Sequence, residues 1–265
     1  MPSSFSNRLE SAFARHGQLC VGIDPHAELL AEWDLPDTPV GLEQFSRQVL
    51  DACLPEVSII KPQVAFFERF GPEGYRVLQQ LLFDARDAGL LVIADAKRGD
   101  IGSTMSGYFD AWLSKAAPLP ADALTVSPFL GAESLFEIYA RALEIGKGVF
   151  TLAATSNPEA KDQQSALQSG KTVSSKIVDG IEKLNRLHQI PGDKVGSIGV
   201  VIGANVDFSS VGLVEHRDRP GPEGDHVAQD PAKCPRQHAH HHRRPVHPRP
   251  QHAQDHAREK SRCCQ

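Results

Sequence analysis

Leu90-Leu91-Val92-Ile93-Ala94-Asp95-Ala96-Lys97-Arg98-Gly99-Asp100-Ile101-Gly102-Ser103-Thr104 decides how the rest of the chain is read. It opens as an apolar run of strand length, the pattern of a strand buried on both faces. It closes in charge, with Asp95, Lys97 and Asp100 around Arg98. Gly99 and Gly102 loosen the backbone, and Ser103 reads as the N-cap of a helix over 104–113. In a strand, residues two apart share a face, so Asp95 and Lys97 do. Two carboxylates therefore bracket one ammonium where a parallel strand ends. A salt-bridged surface loop has the same residue types. Such a loop, however, needs no apolar strand to deliver it, and burying charge costs several kcal/mol per ion before pairing offsets it. Nearby anions favour the charged form of a lysine, and a protonated, fixed lysine is a proton donor.

Working outward, further apolar runs occur at 19–23, 57–61, 123–126, 148–153 and 198–202. The expected strand ends Ile23, Lys61, Asp95, Val126, Ala153 and Ile202 are 38, 34, 31, 27 and 49 residues apart. Between them lie helical patterns at 42–54, 72–88 and 133–143, and one from Val173 that puts Val173, Ile177, Ile181 and Leu184 on one face. Residues 5–15 read as a short helix covering the barrel bottom, and 26–39 as a long polar loop. A repeating strand–helix unit at this spacing predicts a (β/α)8 TIM barrel, α/β in class. A doubly wound sheet is the runner-up, but no glycine-rich dinucleotide turn follows the first strand. All candidate chemical groups sit at or just beyond C-terminal strand ends, where barrels keep their sites.

Asp95-x-Lys97-x-x-Asp100, followed by Ile101 and Thr104, resembles the signature of the orotidine 5'-phosphate decarboxylase family. The longer form 94–104 resembles its longer bacterial branch (type 2). The likeness runs from about Gly17 to about Leu213. It implies decarboxylation of orotidine 5'-phosphate to uridine 5'-phosphate in de novo pyrimidine synthesis, with no metal and no organic cofactor. Lys61, which by itself also fits a snorkelling strand-end lysine, would complete an alternating Lys61-Asp95-Lys97-Asp100 array. Lys97 would protonate the pyrimidine. Asp24, otherwise a turn former, would hold a ribose hydroxyl, and Ser127 a pyrimidine amide. Asn157 lies in a polar loop on the substrate side. Asp100 and Thr104 would reach a neighbouring subunit's substrate, which implies a homodimer with shared active sites.

Two other functions remain open. One is a metal-dependent sugar-phosphate decarboxylase or aldolase on the same barrel; a cation at Lys61 opposes a metal there. The other is a non-catalytic metal-binding protein, whose site would be the histidine-rich end of the chain.

Net charge is −5 overall, but residues 214–265 carry ten Lys/Arg against seven Asp/Glu, so the preceding body is acidic. Nothing in it suggests nucleic acid. No signal-peptide pattern opens the chain, and no apolar run reaches the roughly 20 residues of a membrane span. A cytoplasmic protein is expected, with Cys20 and Cys53 as buried thiols.

Only six strands are legible. In the family a seventh leads to a Pro-Gly-x-Gly-x-Gln-Gly loop and an eighth to an arginine, which together grip the substrate phosphate. The domain reading is thus a catalytic barrel over 1–213 and a His/Pro/Arg-rich tail over 214–265. That tail holds nine of the twelve histidines and no Leu, Ile, Met, Phe, Tyr or Trp, a composition that cannot bury enough surface to fold. It fits either a metal-binding tail or a wrong-frame translation of a GC-rich gene. The abruptness of the change, where a strand is required, favours the second.

Overall fold

The computed structural model describes residues 3–188 and 194–214. The expected seventh and eighth strands and the tail, Val214 apart, lie outside the described residues.

Six parallel strands pair in chain order: β1 (Cys20–Ile23), β2 (Ile59–Pro62), β3 (Leu91–Arg98), β4 (Ala123–Val126), β5 (Gly148–Ala154) and β6 (Ile198–Ile202). Sequential order with helical crossovers is barrel topology, and it rules out the doubly wound alternative, whose strand order reverses. The middle strands are buried because both faces are covered. β1 and β6 are only partly so, since each has one hydrogen-bonded neighbour among the described residues. Cys20, expected buried, is half-buried for this reason, whereas Cys53 is buried.

The first three helices start on side-chain caps. α1 (Phe5–His16) starts on Ser4, whose hydroxyl accepts from Asn7 N–H at 3.1 Å, and stops at Gly17, φ 73°. α3 (Pro39–Cys53) begins on Thr38 with proline at its first turn. Three elements correct the sequence reading. The loop expected over 26–39 contains α2 (Ala27–Glu32), capped by His26 Nδ1 at 3.2 Å from Leu29 N–H and held by the fully buried Leu30. A six-residue helix is too short to show a period, and histidine is not a usual cap. Second, α4 (Ala65–Glu68) precedes the expected α5 (Gly71–Asp87). Third, α6 (Gly102–Trp112) starts before Ser103, which therefore does not cap it; Gly102 makes the turn itself at φ 52°. α7 (Phe136–Glu144), the short α8 (Ala160–Gln164), a hairpin of Leu167–Gln168 against Lys171–Thr172, and α9 (Val173–His188) complete the chain to β6.

The large core lies between strands and helices and includes Leu42, Phe67, Leu78, Leu82, Leu124 and Tyr139. A smaller one fills the inside of the sheet's N-terminal end. There Phe5, Leu9 and Ala12 of α1 meet Ile59, Leu91, Ile93, Ala123 and Phe150. Phe5 stands edge-on to Phe150 with centroids 6.0 Å apart. α1 is fastened by Arg8 to the buried Asp122 and, at 2.8 Å, to the Gly146 carbonyl. Ser6 N–H donates to Ser197 Oγ at 3.1 Å. The C-terminal strand ends, with Lys61, Asp95 and Lys97, lie away from this helix.

Candidate active site

The site is built on β3, and its centre is Asp95. This carboxylate is 7% exposed and every contact it makes is charge-assisted or a hydrogen bond. Lys97 Nζ donates to Oδ1 at 2.7 Å, and Thr125 Oγ1 donates to the same atom at 2.9 Å. Lys61 Nζ and Gln63 Nε2 each donate to Oδ2 at 3.1 Å. Burial would raise the Asp95 carboxyl, but Lys61 and the bond from Lys97 outweigh it and hold the group below its ordinary value. Burial likewise pulls the Lys61 ammonium down, and Asp95 followed by Asp24 pushes it above the usual lysine range. The stability that Asp95 contributes is present above the ordinary carboxylate range and is lost as pH falls through its depressed value. That of Lys61 is present below the ordinary lysine range and lost as pH rises through its elevated value. The Lys61–Asp95 pair is therefore intact across neutral pH.

Asp24 follows β1 and behaves differently. Its Oδ1 is buried with no hydrogen-bond partner. Burial, reinforced by Asp95, raises its carboxyl against the pull of Lys61 and Lys97. An unsatisfied buried carboxylate oxygen costs free energy, and a ligand hydroxyl donated to it would recover that cost.

Local chain geometry places these groups. β3 is bulged. Ala94 pairs with Leu124 and Arg98 with Val126, so three residues of β3 face Thr125 alone. Thr125 bridges the irregularity by accepting Lys97 N–H at 2.9 Å while donating to Asp95. Lys97 sits at φ 49°, a conformation L-residues avoid. After the bulge the chain passes hard against β4: a Cβ on Gly99 would lie 2.5 Å from the Ser127 carbonyl oxygen, so only glycine fits. Ser127 N–H donates to the Arg98 carbonyl at 2.8 Å, which holds half-buried Ser127 beside the turn.

A family model described as orotidine 5'-phosphate decarboxylase / HUMPS family matches residues 17–236. The orotidine 5'-phosphate decarboxylase of Corynebacterium glutamicum is 50% identical over 206 residues, 77% of this chain and 73% of that one. The chain belongs to the orotidine 5'-phosphate decarboxylase / HUMPS family. A crystal structure from Streptomyces avermitilis matches at 48% identity with a TM-score of 0.75, covering 80% of this chain and 73% of that one. The Leishmania donovani OMP decarboxylase matches at 30% identity and 0.60, covering 77% and 72%. The TIM-barrel expectation holds, with six of its strands described.

Of the residues expected at an orotidine 5'-phosphate decarboxylase site, Lys61, Asp95 and Lys97 come together in bonding contact. Asp24 lies close enough to exchange charge effects with all three. Asp100 stands apart. Its carboxylate accepts Ile101 N–H at 2.8 Å, and among the described residues it makes no ion pair. Thr104 is exposed on the first turn of α6. Asn157 is exposed after β5, accepting from Thr155 Oγ1 at 2.8 Å and donating to Glu159 at 3.1 Å. Gln63 and Thr125 were not expected. A polar residue inside an apolar strand, as Thr125 is, was the available signal. Gln63, just past a strand-ending proline, gave none. Among the described residues no three His, Cys, Asp or Glu side chains gather to hold a metal ion, and no helix is long and apolar enough to cross a membrane.

Proposed function

We propose that the chain converts orotidine 5'-phosphate to uridine 5'-phosphate, with Lys97 as the proton donor. The observation that carries the reading is the Lys61–Asp95–Lys97 array, anchored on a buried carboxylate at the C-terminal strand ends. The bond from C6 to the carboxylate breaks, carbon dioxide leaves, and the electron pair remains on C6. A proton from Lys97 Nζ takes that position, and solvent reprotonates the amine. Asp95 orients Lys97 and lies against the departing carboxylate. Fixed charges in a site closed to water need no reorganisation as the carbanion develops. Asp24 accepts a ribose hydroxyl, which its unpartnered oxygen supports, and Ser127 meets the pyrimidine amide. Binding of the unreactive phosphate helps to close the site.

The test uses a chimera in which the C-terminal segment of the Corynebacterium glutamicum decarboxylase replaces residues 214–265. Loss of the orotidine chromophore should persist in a strong chelator. Turnover that the chelator abolishes would overturn the metal-free mechanism, and none at all would sink the proposal.

The homodimer belongs to the same proposal. Asp100 makes no ion pair among the described residues, Thr104 is exposed, and large apolar side chains are exposed as well: Ile101 is 61%, Phe129 76% and Phe136 50% exposed. These residues open or precede α6 and α7, which touch through Ser106 and Glu137 at 3.1 Å. An apolar patch of this kind fits a subunit contact. Mixing chimeric chains carrying Lys97→Ala with chains carrying Asp100→Ala should regenerate activity, because one hybrid site then holds both native residues. No recovery after demonstrated subunit exchange would rule out a composite site.

A further inference from the structure

Arg98 is the residue at which the bulged β3 rejoins the ladder opposite Val126. Successive strand residues point to opposite faces, so as Lys97 turns into the barrel, Arg98 turns out among the helices. There its guanidinium pairs with Glu68 of α4 and donates to Tyr75 Oη of α5 at 3.3 Å. It also lies 5.6 Å from the ring centroid of Tyr108 on α6. Tyr75 donates in turn to Glu68. One side chain thus ties three helices to the end of the bulge. Its main chain is fixed as well, through the Ser127 N–H at 2.8 Å.

The bulge needs such fastening. Lys97 occupies positive φ with a full side chain, which persists only where the surroundings over-determine it. On one side the constraint is Thr125, which holds the Lys97 N–H. On the other it is Arg98. We propose that Arg98 is a positioning residue: its anchorage to Glu68, Tyr75 and Tyr108 outside the barrel fixes the bulge that aims Lys97 at Asp95 inside it. The consequence for catalysis rests on Lys97 being the proton donor; the positioning itself does not.

The test is amine footprinting of the full chain with acetic anhydride, read peptide by peptide in a mass spectrometer. Acetylation of Lys97 requires its amine to leave Asp95. Lys147 is the internal reference, since it lies at the other end of the strands, bonded to the Ala121 carbonyl at 2.7 Å. In Arg98→Met, Lys97 should label several-fold faster relative to Lys147. Tyr75→Phe should raise the ratio less, and Arg98→Lys, which keeps the charge beside Glu68, should restore much of the original protection. An unchanged Lys97/Lys147 ratio in both Arg98→Met and Tyr75→Phe overturns the proposal. So does a uniform rise over all lysines, which would make Arg98 a contributor to overall stability only. Footprinting needs no turnover, so Lys97→Ala retaining activity would end the proposed mechanism without altering this result.

Discussion

Lys97→Ala in the chimeric chain should abolish measurable decarboxylation while a titration with uridine 5'-phosphate still shows binding. The asymmetry comes from where the lysine acts. Its ammonium donates to Asp95 at 2.7 Å, so Asp95 holds it in place and it contributes chiefly once charge develops at C6. Proton transfer from a positioned side chain supplies roughly 10²–10⁴-fold in rate. Removal also leaves Asp95 with one ammonium instead of two, which weakens the array around the reacting carbon and adds to the loss. Binding draws on other groups, Asp24 and Ser127 among them, so affinity changes far less than turnover. Parent-like turnover in Lys97→Ala would end the proposed mechanism. Loss of binding in parallel with turnover would show instead that the lysine holds the ground state.

Met1–Gln265 itself should be a weak enzyme of low solubility. Part of the reason is structural. Among the described residues β1 and β6 each leave one edge unpaired, and such edges template association with other chains. The rest is chemical. The family resemblance gives the phosphate a glycine-rich loop and an arginine, and residues 214–265 contain no such loop. Hydrogen bonds to charged groups contribute about 1.5–3 kcal/mol each. Losing two or three costs on the order of 3–9 kcal/mol, very roughly 10²–10⁶-fold in kcat/KM. Arg217, Arg219 and Arg236 lie in a segment without Leu, Ile, Met, Phe, Tyr or Trp, a composition poor in the apolar residues that build a scaffold. Assaying Met1–Gln265 beside the Corynebacterium glutamicum decarboxylase decides the matter. Equal turnover would mean that 214–265 supplies what its composition does not suggest.

Most of the fold was legible because parallel strands buried on both faces are written as unbroken apolar runs. β4 and β6 begin and end where those runs do. What escaped depends on neighbours distant in sequence. The apolar run at 57–61 starts before β2 because Val57 is buried and Ser58 is occupied by His16 at 2.9 Å, while the ladder begins only at Ile59. The site divides in the same way. Asp95 and Lys97 were readable as a pair from their spacing alone. The bulge that brings them together was not, since it is defined against β4, and neither was the role of Thr125 that fills it. The resemblance places Asp100 in the array; its carboxylate accepts Ile101 N–H, and the spacing of residues between Gly99 and Gly102 does not give the direction of that turn.

The fastening of α1 sets a timetable for biosynthesis. This helix emerges from the ribosome well before its partners, and its Ser6 N–H waits for Ser197, 191 residues downstream. Glu10 likewise waits for Val195, whose N–H it accepts at 3.1 Å. At about 5–20 residues per second of translation, those partners arrive roughly 10–40 s later. The apolar side chains Phe5, Leu9 and Ala12 also wait, for Ile59, Leu91, Ile93, Ala123 and Phe150 in turn. A segment made early is thus among the last to be locked, and a chaperone that binds emerging apolar helices has an interval in which to act.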